Sequence, residues 1–249
     1  MKKIQVLCCL VSVLHAAEEN NTGQDFTQPL RRFDARWKYN QFFGGPHKNT
    51  FTARFEAPYR FKNQWKISNR LDIPYAWLHQ EPDQVENGLD DILFQLLFIT
   101  PTYGKWTLGF GSQLIFPSAT PSSLGSGKYQ AVPTLGIKYD LASSWMDGAW
   151  TALVLRQACS FAGQSNRNSI SQAYIQPILN IDLPRMWFLY FDPEIRFNWI
   201  THKWFVPFSL TVGKLITPKI VFSVAYKRAI IHDFPHYRQE VEIRMGLFF

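Results

Sequence analysis

Cysteine is scarce. Of three in 249 residues, Cys8 and Cys9 lie side by side near the start and Cys159 stands alone afterwards, so no disulfide framework holds the fold. Charge is scarce too, at 18% Asp, Glu, Lys and Arg against about 25% in ordinary soluble domains. Long apolar runs are missing past the N-terminus, where no stretch reaches the roughly 18 uncharged apolar residues a membrane helix needs. Aromatic residues, by contrast, make up 16% of the chain within a hydrophobic fraction of 46%, which excludes a disordered polypeptide. The net charge of +7 is scattered rather than clustered and points to no nucleic-acid partner.

The first seventeen residues read as an export signal. Lys2 and Lys3 precede an apolar run from Ile4 to Leu14, small residues stand at Ala16 and Ala17, and Glu18 to Asn21 are polar. Cys8 and Cys9 sit inside the apolar run rather than after it, so a lipid-modified Cys is not expected. Cleavage removes Lys2 and Lys3 and leaves a charge of +5. Residues 18–32 are expected as a periplasmic segment and residues 33–249 as the folded domain.

That domain alternates. Side chains along a strand point to opposite faces in turn, so a sheet between two solvents shows a period of two. Val241, Ile243, Met245, Leu247 and Phe249 share one parity, while Glu240, Glu242 and Arg244 share the other. Phe33, Ala35, Trp37 and Tyr39 oppose Asp34, Arg36, Lys38 and Asn40. Phe51, Ala53 and Phe55 oppose Thr52, Arg54 and Glu56, and Ile67, Leu71 and Ile73 oppose Lys66, Arg70 and Asp72. Leu189, Phe191, Ile195 and Phe197 oppose Asp192, Glu194 and Arg196. With less regular stretches near 91–101, 105–117, 128–140 and 148–161, the pattern gives about twelve strands.

A β-sandwich alternates as well, but its strands are short and its core buries no unpaired charge. Here the strands run about 10 to 14 residues, the length that crosses a bilayer at a tilt. One parity is large and aromatic throughout, and the other carries full charges. Trp65, Trp106, Trp150 and Trp187 recur near the start of alternate strands, with Trp37 further along the first, as an interfacial aromatic girdle requires. The fold class expected is all-β, a closed antiparallel transmembrane barrel of porin-like type, because only closure satisfies every backbone group in lipid. Its partners are then outer-membrane lipid and the barrel-assembly machinery, which reads the last strand through Val241, Ile243, Met245, Leu247 and Phe249.

An even strand number puts both termini at the periplasmic end. Short turns are expected there, at Phe61 to Asn63, Thr102 to Gly104, Pro184-Arg185 and Thr217-Pro218, with longer outer loops such as Leu78 to Asp90 and Ser118 to Gly127. Pro58, Pro74, Pro133, Pro177, Pro193 and Pro207 fall inside strands, where each removes a ladder donor. They are expected as bulges or kinks, positions where the alternation can slip by one residue.

Leu108 to Asp140, LGFGSQLIFPSATPSSLGSGKYQAVPTLGIKYD, resembles the bacterial outer-membrane transporter family named for the MetA pathway of phenol degradation. GLDDILFQLLF at Gly88 to Phe98, IQPILN at Ile175 to Asn180 and FDPEIRFNW at Phe191 to Trp199 fall in that family's order. The resemblance implies a porin-like barrel in a Gram-negative outer membrane, passing small solutes including aromatic ones. It supplies no catalytic residue, cofactor or metal site.

Leu124-Gly125-Ser126-Gly127-Lys128 lacks the spacing and the Ser or Thr of a phosphate loop, and Gly109-x-Gly111 lacks the third Gly of a dinucleotide fingerprint. The inward parity holds the candidates. Arg36, Lys38, Arg54, Arg70, Lys138, Arg156, Arg196 and Arg244 face the lumen with Asp34, Glu56, Asp72, Asp192, Glu194 and Glu242. Such groups form either a selective constriction or a salt-bridge network that closes the bore. The signs nearly balance, so strong ion selectivity is not expected. Twelve strands at about 40° tilt leave a bore of roughly 12 Å once wall side chains are subtracted. His47, His79, His202, His232 and His236 map to the outer edge. An outer-surface enzyme would draw on them, with the loop Asp residues, in place of a channel.

Overall fold

The computed structural model describes residues 21–80, 84–141, 148–234 and 236–249. Residues 1–17, expected as an export signal, lie outside them. Fourteen strands follow in order: β1 Arg32–Phe42, β2 His47–Arg60, β3 Lys66–Gln80, β4 Gln84–Leu89, β5 Ile92–Ile99, β6 Trp106–Phe116, β7 Lys128–Asp140, β8 Trp150–Gly163, β9 Ser171–Leu183, β10 Trp187–Phe191, β11 Ile195–Asn198, β12 Lys203–Thr217, β13 Ile220–His232 and β14 Tyr237–Phe248. Every neighbouring pair is antiparallel, and β1 pairs β14 from Arg32↔Phe248 to Phe42↔Tyr237, which closes the sheet. β4 with β5, and β10 with β11, are each one interrupted span, so twelve spans make the barrel. Among the described residues closure leaves no unpaired edge in the barrel wall, while β4 pairs β3 on one side and meets Thr120 at a single bridge on the other.

Proline explains both interruptions. Opposite the first, at Asp90 and Asp91, stands Pro74, whose carbonyl accepts the Asp90 N–H at 3.0 Å. The register runs Asp72↔Leu93 below it and Tyr75↔Leu89 above it, so β4–β5 carries one extra residue there. Pro193 lies in the gap between β10 and β11, and the registers on either side put Pro177 opposite it. Neither has an N–H to offer, and the ladder opens without slipping. Pro207 does slip its strand against β13. Pro58 and Pro133 keep unbroken register with Ser68 and Ser112. The expected phase slip therefore occurs beside Pro74 and at Pro207, and not at the other four. A partner strand that needs no donor at that point absorbs the missing hydrogen bond.

Leu78 to Asp90 is not the irregular loop the sequence suggested. β3 continues to Gln80 and β4 returns from Gln84, giving a paired hairpin that projects from the far end, opposite the termini. Trp37, Trp106 and Trp187 face outward, and Trp65 packs edge-on against Phe110. Trp150 does not belong to this girdle. It is 5% exposed and shares its parity with Ala152 and Val154, which point inward. The alternation along β8 places Leu153 and Leu155 outside, so a Trp at an even position must enter the lumen. The far-end aromatic belt is instead supplied by Trp77, Trp199 and Trp204.

Candidate functional site: the barrel lumen

Residues 21–31, expected as a periplasmic segment, turn back into the barrel at the terminal end. Phe26 and Leu30 pack on the inward-facing Trp150, Phe188, Tyr190, Leu215, Val221 and Phe248. Two glycines make the room. A Cβ on Gly109 or Gly136 would lie 2.9 or 2.8 Å from the Phe26 ring, closer than van der Waals contact allows. Polar anchors hold the segment around this apolar knot. Lys138 pairs with Asp25 at 2.5 Å, and Lys66 donates to the Thr27 carbonyl at 3.0 Å and to Gln28 at 2.6 Å. Arg32 donates to the carbonyl of Gly23. Six strands supply the apolar contacts, so the segment ties opposite walls together.

Above this floor the lumen is ionic. Asp34, fully buried, takes Arg36 and Arg244 at 3.2 Å each and Arg32 at 3.8 Å. Arg36 also reaches Glu242 at 2.9 Å, and Arg32 reaches Glu56 at 2.6 Å. Arg54 binds Asp72 through Nε and Nη2 at 2.7 and 2.8 Å, a bidentate pair between register partners on β2 and β3. Across the bore, Glu194 bridges Arg156 and Arg196 at 2.6 Å each. Asp192 accepts from Ser209 at 2.7 Å and Gln176 at 3.2 Å. Lys38 stands in register with Glu242, and Glu240 pairs with Lys227 at 3.0 Å. Taking such ions out of water costs several kcal/mol each, an amount that only multiple short contacts offset.

The structure thus brings twelve of the fourteen candidates (all but Lys38 and Lys138) into three networks: Asp34, Arg36, Glu56, Glu242 and Arg244 around Arg32; Arg54, Arg70 and Asp72 beside them; and, across the bore, Arg156, Asp192, Glu194 and Arg196 with Ser209 and Gln176. Lys138 goes to the N-terminal segment. The sequence reading missed three further lumenal groups. Arg32 continues the inward parity of Asp34 and Arg36 by one step, a signal lost by starting the domain at residue 33. Gln95 and Gln113, in register on β5 and β6, hydrogen-bond at 2.9 Å and carry no charge to mark them.

Between the ionic walls and the Phe26 floor lies a cavity of about 280 Å³. Arg36, Arg54, Arg70 and Arg156 line it with Glu56 and Glu194, and Leu97, Val154 and Ile178 form its apolar part.

The far end is partly covered by loops. Residues 117–127 pack against β4: Thr120 bridges Leu89 at the strand's free edge, and Gly88 keeps φ at +155° where a Cβ would strike the Thr120 carbonyl. Ser126 binds Asp91 through its N–H at 2.7 Å and its hydroxyl at 2.6 Å, and Lys48 donates to the Leu124 carbonyl at 2.7 Å. The Gly-rich run at 124–128 therefore anchors a loop. On the other side Phe234 and His236 fold onto the inward Phe205. Burial holds His236 well below the usual histidine pKa, with Arg196 adding to the effect. The other histidines stay apart. His47 stacks on His79 at 4.3 Å, His232 packs on Phe43 and His202 on Phe197. Among the described residues no three His, Cys, Asp or Glu side chains gather as metal ligands do.

No family model matches the chain, and no curated relative matches it. Solved structures do. The COG4313 outer membrane channel from Pseudomonas putida F1 superposes with a TM-score of 0.75 at 11% identity, over 88% of this chain and 94% of that one. The NanC porin gives 0.59 at 13% identity over 87% and 98%. The CymD monoaromatic hydrocarbon channel gives 0.54 at 8% identity over 93% of each. At such identities the likeness is one of fold, and the fold is that of porin-like outer-membrane barrels.

Proposed function

We propose that the chain is an outer-membrane channel that passes small solutes, aromatic or hydrophobic ones included, by diffusion through its lumen. The observation that carries this reading is the polar cavity inside a closed barrel, walled by inward residues of the strands and floored by the segment from Gly23 to Leu30. A route of that kind opens by moving residues 21–31, with no change in the sheet. The resemblance of Leu108 to Asp140 to the phenol-degradation family, and the channels that share the fold, support the same reading. In it the export signal at residues 1–17 delivers the chain, the C-terminal parity from Val241 to Phe249 engages the assembly machinery, and the outer membrane of a Gram-negative cell receives it.

Planar-bilayer conductance tests the proposal. Wild-type protein is expected to give discrete current steps, and Arg36→Ala and Arg196→Ala to change their size, because each removes a cation from one wall of the bore. Correctly folded protein without current would sink it. The packed floor and the paired charges favour one other reading, a barrel that never conducts, and the same recording decides between the two.

A further inference from the structure

We propose that the lumenal cavity recognises small monocarboxylates with a compact apolar body. The carboxylates of the walls are already engaged: Asp72 by Arg54, Glu56 by Arg32 and Ser68, Glu194 by Arg156 and Arg196. Arg70 is left over. Its Nε lies 3.4 Å from Asp72 and is buried without a hydrogen bond, and its guanidinium lines the cavity. Beside it in register stands Gln95, whose Oε1 accepts from Gln113 and whose amide N–H groups are thereby turned to donation. Two adjacent strands therefore present donors, and the charged one has only the 3.4 Å ion pair to Asp72 and no hydrogen bond at its Nε. A buried guanidinium short of partners is costly, and a carboxylate binds it in charge-assisted hydrogen bonds about twice as strong as neutral ones. Leu97, two residues along β5 from Gln95, lines the same cavity with Phe26, Val154 and Ile178 and gives it an apolar seat. The volume of about 280 Å³ lies near the lower bound of small-molecule sites, so the body of the ligand is compact. A cation meets Arg70 as a like charge, and a neutral solute offers it no charge-assisted hydrogen bond.

This assignment rests on the channel reading and names its cargo. Calorimetric titration of the purified full-length barrel with benzoate, and with benzamide as its uncharged near-isostere, tests it. Benzoate is expected to saturate, with benzamide at least about tenfold weaker, and Arg70→Gln to weaken benzoate about tenfold while leaving benzamide unchanged. Equal binding of the two by wild type, or no saturable benzoate binding, overturns the proposal without recourse to any variant. Unchanged benzoate affinity in an Arg70→Gln barrel that keeps its heat-modifiable gel mobility overturns it as well. Bilayer current separates this from the channel reading. Current without benzoate binding removes the carboxylate site and leaves the channel, whereas binding without current removes the channel and leaves the site.

Discussion

The two halves of the lumen are built on opposite principles. At the terminal end, Phe26, Leu30, Trp150, Phe188 and Phe248 fill the bore with apolar contacts. In the middle, Asp34, Arg54, Asp72, Glu194 and Arg196 line it with ion pairs. Apolar packing excludes water and seals, while a paired ionic wall keeps its outer hydrogen-bonding capacity and tolerates a wet cavity beside it. On the channel reading, resistance to flow is expected at the floor and discrimination between solutes above it.

Removing the floor is the strongest way to break this comparison. A variant lacking residues 21–31 is expected to show conductance several-fold above wild type. Phe26→Ala with Leu30→Ala is expected to lie between them, measured in the same bilayers. If the deletion leaves conductance unchanged, the resistance lies in the ionic belt or the far-end loops.

Stability separates the halves next. Asp34→Ala leaves Arg32, Arg36 and Arg244 without their shared anion and is expected to cost about 3–5 kcal/mol in urea-unfolding experiments in lipid. Trp150→Ala empties the apolar floor at a similar cost, about 3–5 kcal/mol. Trp106→Ala, on the outer girdle and half exposed, is expected to cost clearly less than Trp150→Ala, which sharpens the inward assignment of Trp150. Equal costs would return Trp150 to the girdle.

The wall itself provides a milder contrast. Leu135 faces outward and its neighbour Thr134 inward on β7. Leu135→Arg is expected to destabilise the barrel by about 2–4 kcal/mol, since it places a cation in hydrocarbon. Thr134→Arg keeps the charge in the polar lumen and is expected to cost less and to alter ion selectivity.

The smallest expected effect concerns pH at the far end. His236 is held neutral by burial against Phe205, with Arg196 and Lys38 opposing its protonation and Glu194 and Glu240 favouring it. Its folded pKa is depressed, so its contribution is complete above the unfolded value near 6.5 and is lost as pH falls from there towards the folded value. Hydrogen exchange around Phe234 to Tyr237 is expected to accelerate below about pH 6.5, and His236→Phe to abolish that acceleration. An identical pH profile in the variant would remove His236 as the cause.

Several of these features were legible in the residues and others were not. The parity of Val241 to Phe249 and of Asp34 to Asn40 already separated lumen from lipid, because each side chain's face follows from its position modulo two. Trp150 was misplaced for a related reason. It was assigned by its distance from a turn, a measure of height, when parity decides direction. The β3–β4 hairpin was hidden by Asn87, Gly88 and Asp90, residues typical of loops, although Tyr75, Trp77 and Val85 continued the alternation. The pairing of Arg54 with Asp72, or of Glu194 with Arg156, depended on register, which no single strand encodes.

A strand's contacts with solvent are local, so the chain alone determined that it alternates, that it closes around a polar interior, and which charges point inward. The contents of that interior were decided only by tertiary structure. Phe26 finds Gly109 and Gly136 more than eighty residues away, and Arg70 keeps an ion pair but no hydrogen bond to Asp72, whose two oxygens Arg54, from the strand beside it, already holds. Such outcomes arise from competition among side chains that meet once the barrel has closed, and no local pattern of residues records who wins.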